Sequence, residues 1–184
     1  MANANNAFFY LVSTLFDIYL WVVMLRIILQ LVRADFYNPI SQLIWQLTQP
    51  ILRPAQKLLP KVRQWDIAAI VLLVLVTLVE IHVVAAILGY DIGAAQSLWF
   101  ALLKLVTLAL NLYTFALFVQ AILSWVGPGV SNPAGSILWS INEPLLRPVR
   151  RVIPPMSGLD LSPLAVILLL QFVNLLVPLP SIFR

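Results

Sequence analysis

Four stretches of this sequence, Ala7 to Val32, Ile67 to Leu88, Leu98 to Val126 and Leu161 to Val177, are nearly continuous runs of apolar residues, and none holds more than two charged side chains. A helix needs about 20 mostly apolar residues to cross a hydrocarbon core of about 30 Å, so the four read as membrane spans. Composition agrees: 62% hydrophobic and 10% charged residues leave too little polar surface for a soluble domain of this size. The opening residues, Met1 to Asn6, have neither the basic region nor the cleavage site of a signal peptide, and the first stretch is read as a retained span. Cysteine is absent, which excludes disulfides, thiolate metal sites and thiol nucleophiles within the chain.

The sequence is also written twice. Shifted by 94 positions without a gap, Asn38-Pro39 falls on Asn132-Pro133, Trp45 on Trp139, Pro50 on Pro144, Leu52-Arg53-Pro54 on Leu146-Arg147-Pro148, Pro60 on Pro154 and Asp66 on Asp160. Nine of the 29 positions from Asn38 to Asp66 are identical, and most are residue types that hydrophobicity alone would not match. A repeated unit is therefore expected, at residues 7–90 and 98–178, each with two spans.

Charge orients the repeat. The segment between spans one and two carries Arg33, Arg53, Lys57, Lys61 and Arg63, and that between spans three and four carries Arg147, Arg150 and Arg151, whereas Gly89 to Ser97 has only Asp91. The positive-inside rule makes both basic segments cytoplasmic and both termini periplasmic, so the two-span repeats run parallel. The formal net charge of +4 then faces anionic headgroups, and no nucleic-acid partner is expected.

Within the first basic segment Ile40, Leu43, Ile44, Leu47 and Ile51 recur at helical spacing, with Ser41, Gln42, Gln46 and Thr48 on the other face. The second repeats this with Ile137, Leu138, Ile141 and Leu145 against Ser136, Ser140 and Asn142. Pro50 and Pro144 are expected to break each helix, leaving a second short piece that ends at Pro60 or Pro154. An amphipathic helix with Trp45 or Trp139 and basic residues belongs in the headgroup plane, as a connector or as a docking surface. The lipid- or partner-binding candidates are Arg53, Lys57, Arg147, Arg150, Arg151, Trp45 and Trp139. Asp66 and Asp160 stand where spans two and four begin and are expected to cap them.

Polar residues inside the spans are costly in hydrocarbon and so are candidates for function or for tying helices together. Asp17 and Glu80 correspond to Asn111 and Asn174 under the 94-residue shift, and all four fall at one depth, nearer the outer face. Lys104 reaches the same depth from the outside, and the short link makes spans two and three neighbours, which predicts a Glu80 to Lys104 pair. Arg26 is out of phase with Asp17 and is expected to snorkel toward the cytoplasm. The single histidine, His82, reads as an interfacial or packed residue.

Thr48-Gln49-Pro50-Ile51-Leu52-Arg53-Pro54 and Glu143-Pro144-Leu145-Leu146-Arg147-Pro148-Val149-Arg150-Arg151-Val152-Ile153-Pro154, followed by Asp160-Leu161-Ser162-Pro163, resemble the YggT family of bacterial inner-membrane proteins. The first copy departs from the motif, with Gln56-Lys57 for the paired arginines and Asp66-Ile67-Ala68-Ala69 for Asp-x-Ser-Pro. The resemblance implies a multi-pass inner-membrane location and an association with osmotic tolerance, and no common enzymatic activity. Plastid relatives of the family are associated with haem attachment, which transfers poorly to a chain with one histidine and no cysteine.

No metalloprotease, hydrolase or phosphate-loop motif occurs, and neither a cofactor nor a metal site is expected. The fold expected is an all-α membrane protein of four spans in two parallel repeats, each with a cytoplasmic amphipathic helix broken by proline. Two functions fit it. One is a non-enzymatic scaffold or assembly factor that binds anionic lipid and a membrane-protein partner or a second copy. The other is an ion (potassium) channel or transport component with its pathway through Asp17, Glu80, Asn111 and Asn174.

Overall fold

The structure, a computed structural model, describes residues 2–59, 62, 64–126, 132–154 and 160–183; Pro60, Lys61, Arg63, Gly158 and Leu159 lie outside the described residues. The described residues form six α-helices: α1 (Ala2–Leu31), α2 (Pro39–Leu58), α3 (Ile67–Leu88), α4 (Ala94–Val126), α5 (Pro133–Val152) and α6 (Ser162–Leu176), and then a 3-10 turn at Ser181–Phe183. Three helices are long and apolar enough to cross a membrane, over Ala7–Leu31, Ile67–Leu88 and Ala94–Ser124. The fourth expected span is shorter. At 15 residues α6 is about 22 Å long, because the prolines at 178 and 180 cannot extend it. The chain then folds back, burying Leu179 and Phe183 against Ile81, Val84 and Ala101.

The heaviest packing is α1 on α3 and α4 on α6, with α3 beside α4. The outward faces are apolar, as with Leu75 and Val79 on α3, Leu102 and Phe118 on α4, and Leu168 and Phe172 on α6. Such a surface is stable where hydrocarbon is the solvent, and in water it would be an aggregation patch. Along the seam between α1 and α4, Trp21 meets Phe115, 94 positions away, edge to face with centroids 5.6 Å apart.

Helices α2 and α5 lie at the end where α1 and α4 finish, and they touch each other. Each starts with an asparagine cap and a proline at the first helical position: Asn38 Oδ1 accepts from the Ile40 N–H at 2.9 Å, and Asn132 Oδ1 from Ala134 N–H at 2.9 Å. The expected break at Pro50 and Pro144 does not occur. Pro50 and Pro54 sit inside α2, and Pro144 and Pro148 inside α5. Prolines four residues apart share one helix face, and all four are exposed here, so each bend and each freed carbonyl falls on the outer side.

The buried face of α2 also differs from the expected one. Ser41, Ile44, Thr48 and Leu52 are buried, while Leu43, Leu47 and Ile51 are exposed. In α5 Asn142 is buried with Ile137, Ile141 and Leu146. Thr48 and Asn142 point inward because polar partners wait there, Arg26 for the first and Gln120 for the second.

Candidate functional site

Polar side chains gather at two levels. The first lies within the helix bundle, where Lys104 Nζ on α4 reaches Glu80 Oε1 on α3 at 2.6 Å and Asp17 Oδ1 on α1 at 2.9 Å. The predicted pair is present, and Asp17 joins it. The Glu80 side chain is 1% exposed and that of Asp17 38%. Asp17 is the more open because, with Lys104, Thr107 and Asn111, it lines one end of a largely apolar cleft of about 780 Å³ between α1 and α4. At the corresponding positions of the second half the solution is neutral: Asn174 Nδ2 donates to Asn111 Oδ1 at 2.7 Å. His82 Nδ1 lies 2.8 Å from the Leu78 carbonyl oxygen of its own helix.

The second level is where α2 meets α1 and α3, and α5 meets α4 and α6. Arg26 on α1 reaches toward the α2 end but does not carry its charge into water, as the expected snorkelling would. It is 8% exposed, and it donates to Thr48 Oγ1 at 2.6 Å and Gln49 Oε1 at 2.8 Å, with Asp66 Oδ2 at 3.6 Å. A guanidinium can turn inward here because three acceptors meet its fork. Asp66 caps α3 through the Ala69 N–H at 3.3 Å and accepts from Gln56 Nε2 at 2.6 Å.

The second half repeats this pattern with the residues exchanged. Gln120, 94 positions after Arg26, accepts from Asn142 Nδ2 at 2.7 Å, where Arg26 donates to Thr48. Arg150 stands in the place of Gln56 and reaches Asp160 Oδ2 at 2.9 Å and Glu143 Oε2 at 2.7 Å. Each half thus brings one buried or half-buried guanidinium to its aspartate, from α1 in the first and from α5 in the second. Asp160 stands one residue further out than a cap: α6 begins at Ser162 after Leu161, and Asp160 Oδ1 accepts from the Ser162 N–H at 2.9 Å.

Burial pushes the Asp160 carboxyl up, but the hydrogen bonds from Ser162 and the Arg150 guanidinium outweigh it and hold the group below the usual carboxylate range. Burial lowers Arg150, and its bonds to Asp160 and then Glu143 more than restore it, leaving it above its ordinary value. A depressed carboxylate stabilises the fold fully above its unfolded pKa of about 3.9, and that contribution is lost as pH falls through the lower folded value. This corner should therefore be insensitive to acidification from neutral pH to about 5. Arg150→Gln should cost about 1 kcal/mol, since the pair is partly open to solvent. The double change Glu143→Gln with Arg150→Gln should cost less, because it removes the Glu143 charge together with its partner and leaves one carboxylate unpaired instead of two. Thermal unfolding in detergent micelles measures both.

Of the residues expected to meet lipid or a partner, Arg53, Lys57, Arg147 and Arg151 are exposed, and none joins an ion pair among the described residues. Trp45 and Trp139 are 42% and 56% exposed. Arg150 differs from these four, being held by two carboxylates. Reasoning from sequence missed Arg26, Thr48, Gln49, Gln56, Gln120, Asn142 and Glu143. The signal was present: under the 94-residue shift each finds a polar or charged residue at its counterpart. It also missed Asn38, 6% exposed, whose Nδ2 donates to the Pro133 carbonyl at 2.8 Å and to Ser136 Oγ at 2.9 Å, joining the starts of α2 and α5.

The chain is 42% identical over 179 residues to an uncharacterized protein of Pseudomonas aeruginosa, covering 96% of this chain and 91% of that one. It is 41% identical over 173 residues to an uncharacterized protein of Vibrio alginolyticus, covering 93% of each. It is 35% identical over 171 residues to the uncharacterized protein YggT of Escherichia coli K12, covering 92% and 88%. None of these names states an activity. No solved structure matches the chain. The CCB3/YggT family model matches residues 5–87 and again residues 99–180, one match to each half of the helical arrangement just described, and the chain belongs to that family.

Proposed function

We propose that this membrane protein is a non-enzymatic scaffold or assembly factor of the bacterial inner membrane. Its α2 and α5 ends would bind anionic lipid and a membrane-protein partner or a second copy, in the service of envelope and osmotic-stress homeostasis. On this reading the chain is two parallel units of span, in-plane helix and span, with α6 as the short fourth span, the basic helices cytoplasmic and both termini periplasmic.

The observation that carries it is the contrast between two sets of charges. Lys104, Arg26 and Arg150 are spent on internal carboxylates, while Arg53, Lys57, Arg147 and Arg151 stand exposed at one end of the bundle. Exposed cations beside Trp45 and Trp139 and beside outward leucines suit the headgroup layer. The ion-pathway reading is weaker, since Lys104 Nζ already bonds both carboxylates a cation would need.

The test changes Arg53, Lys57, Arg147 and Arg151 together to Gln in the full chain. Thermal stability should stay within about 0.5 kcal/mol per site, as for exposed positions. Recovery of a stoichiometric membrane partner, or of the dimer, after cross-linking should fall, along with the preference for anionic lipid. Unchanged partner recovery, lipid preference and osmotic tolerance would sink the scaffold reading. Potassium flux above background through folded wild-type protein in liposomes would favour the other one.

A further inference from the structure

Just past the end of α1 the backbone of Arg33 takes φ 55°, the single positive φ outside glycine among the described residues. A residue in this left-handed conformation is usually glycine, because a Cβ there crowds the following carbonyl. Gly89 serves in that way past α3, at φ 74°. The bonding at the two ends is the same. Tyr90 N–H reaches the Ala85 carbonyl at 2.9 Å and Gly89 N–H the Ala86 carbonyl at 3.3 Å; Ala34 N–H reaches Leu29 at 2.9 Å and Arg33 N–H reaches Gln30 at 3.3 Å. An arginine therefore holds a glycine position at a backbone cost that glycine would avoid. Its side chain is exposed and joins no ion pair among the described residues.

Arg33 lines a groove of about 340 Å³ with Arg26, Leu29, Ser41, Ile44 and Trp45. Ser41 is 9% exposed, and its Oγ has no hydrogen-bond partner. An unpaired buried hydroxyl is destabilising, and a ligand oxygen would satisfy it. Arg26 shares its charge with Asp66, whereas Arg33 is the groove's one cation with no ion-pair partner among the described residues. Trp45, edge to face with Phe36 at 6.2 Å, closes the apolar side together with Leu29 and Ile44. A guanidinium and a hydroxyl above an apolar wall, at the end of a membrane helix, match the two chemistries of a phospholipid.

We propose that this groove holds the phosphate of a membrane phospholipid, with Arg33 and Ser41 donating to its free oxygens and an acyl chain lying along Leu29, Ile44 and Trp45. The inference rests on the lipid-binding part of the reading above and gives it a specific seat, at the corner of α1 and α2.

The test titrates the purified full chain in detergent with phosphatidylglycerol, with diacylglycerol, which lacks the phosphate, and with inorganic phosphate, reading adducts by native mass spectrometry. Phosphatidylglycerol should bind well above the other two. Arg33→Gly and Ser41→Ala should each weaken it by about tenfold, the value of a charge-assisted bond. Both variants should unfold at or above the wild-type temperature, since glycine relaxes the left-handed turn and alanine removes the unpaired hydroxyl; a purely structural role for either side chain predicts the reverse. Arg33→Lys should bind at an intermediate level. Wild-type binding in both variants, or equal binding of diacylglycerol, overturns the proposal, and equal binding of inorganic phosphate overturns its lipid source. If only the quadruple Gln variant of Arg53, Lys57, Arg147 and Arg151 loses the lipid, this site is wrong and the broader reading stands. If wild type binds no phosphatidylglycerol, the lipid part of that reading fails as well.

Discussion

Replacing Lys104 with methionine should lower the thermal midpoint of the purified protein by on the order of 10 °C, the largest effect expected of any single change in the bundle. Methionine keeps much of the length and flexibility of lysine, so the loss reports the ammonium and not the packing. That ammonium bonds Glu80 at 2.6 Å and Asp17 at 2.9 Å, and without it the buried Glu80 carboxylate lies beside the more open Asp17 with no counter-ion. Removing one partner of a buried pair costs about 3–5 kcal/mol, because the remaining charge keeps its desolvation penalty. Adding Asp17→Asn and Glu80→Asn should recover most of the stability, since Asn111 and Asn174 hold the corresponding helices with one amide bond at 2.7 Å. The pair Asp17→Asn and Glu80→Asn with Lys104 kept should be worse than the triple variant, as it strands the cation instead. Melting curves of the four proteins in one detergent decide the matter. A Lys104→Met variant that melts with wild type would mean that the trio does not hold α1, α3 and α4 together.

What the sequence made legible, it did through solvent and symmetry. Hydropathy located α1, α3 and α4, since a long apolar helix satisfies its own backbone in hydrocarbon. The Glu80 to Lys104 pair followed from depth and a short link, and the Asp66 cap from its place before an apolar run. Reading failed where one position had two physical options. Pro50 and Pro54 ordinarily end a helix, but with both on an exposed face a bend suffices. Arg26 near a helix end ordinarily snorkels, but Thr48, Gln49 and Asp66, far off in the chain, supply a closer set of acceptors. Arg150 looked like one of three surface cations, and only the fold shows Glu143 and Asp160 on either side of it. For Arg26 the deciding partners are remote in sequence, and only comparison of positions 94 apart could have suggested them.

That correspondence yields its own strong prediction. Arg26→Gln should destabilise the protein by about 2–4 kcal/mol, because it strips a buried guanidinium from Thr48 and Gln49 and leaves the Asp66 charge, 2% exposed, facing only neutral donors. The second half already shows how to live with glutamine at this position: Gln120 bonds Asn142, and the cation comes instead from Arg150. Adding Gln56→Arg to Arg26→Gln should therefore recover much of the loss, with the new guanidinium reaching Asp66 as Arg150 reaches Asp160 at 2.9 Å. Adding Thr48→Asn should recover more by restoring the bond between α1 and α2. Thermal unfolding of the single, double and triple variants gives the ordering directly. Rescue by Gln56→Arg is what separates two interchangeable units from a mere likeness of sequence: a generic buried arginine cannot be replaced by a second one 30 positions along the chain. If the double variant melts as low as Arg26→Gln alone, the halves share residues but not a mechanism of assembly.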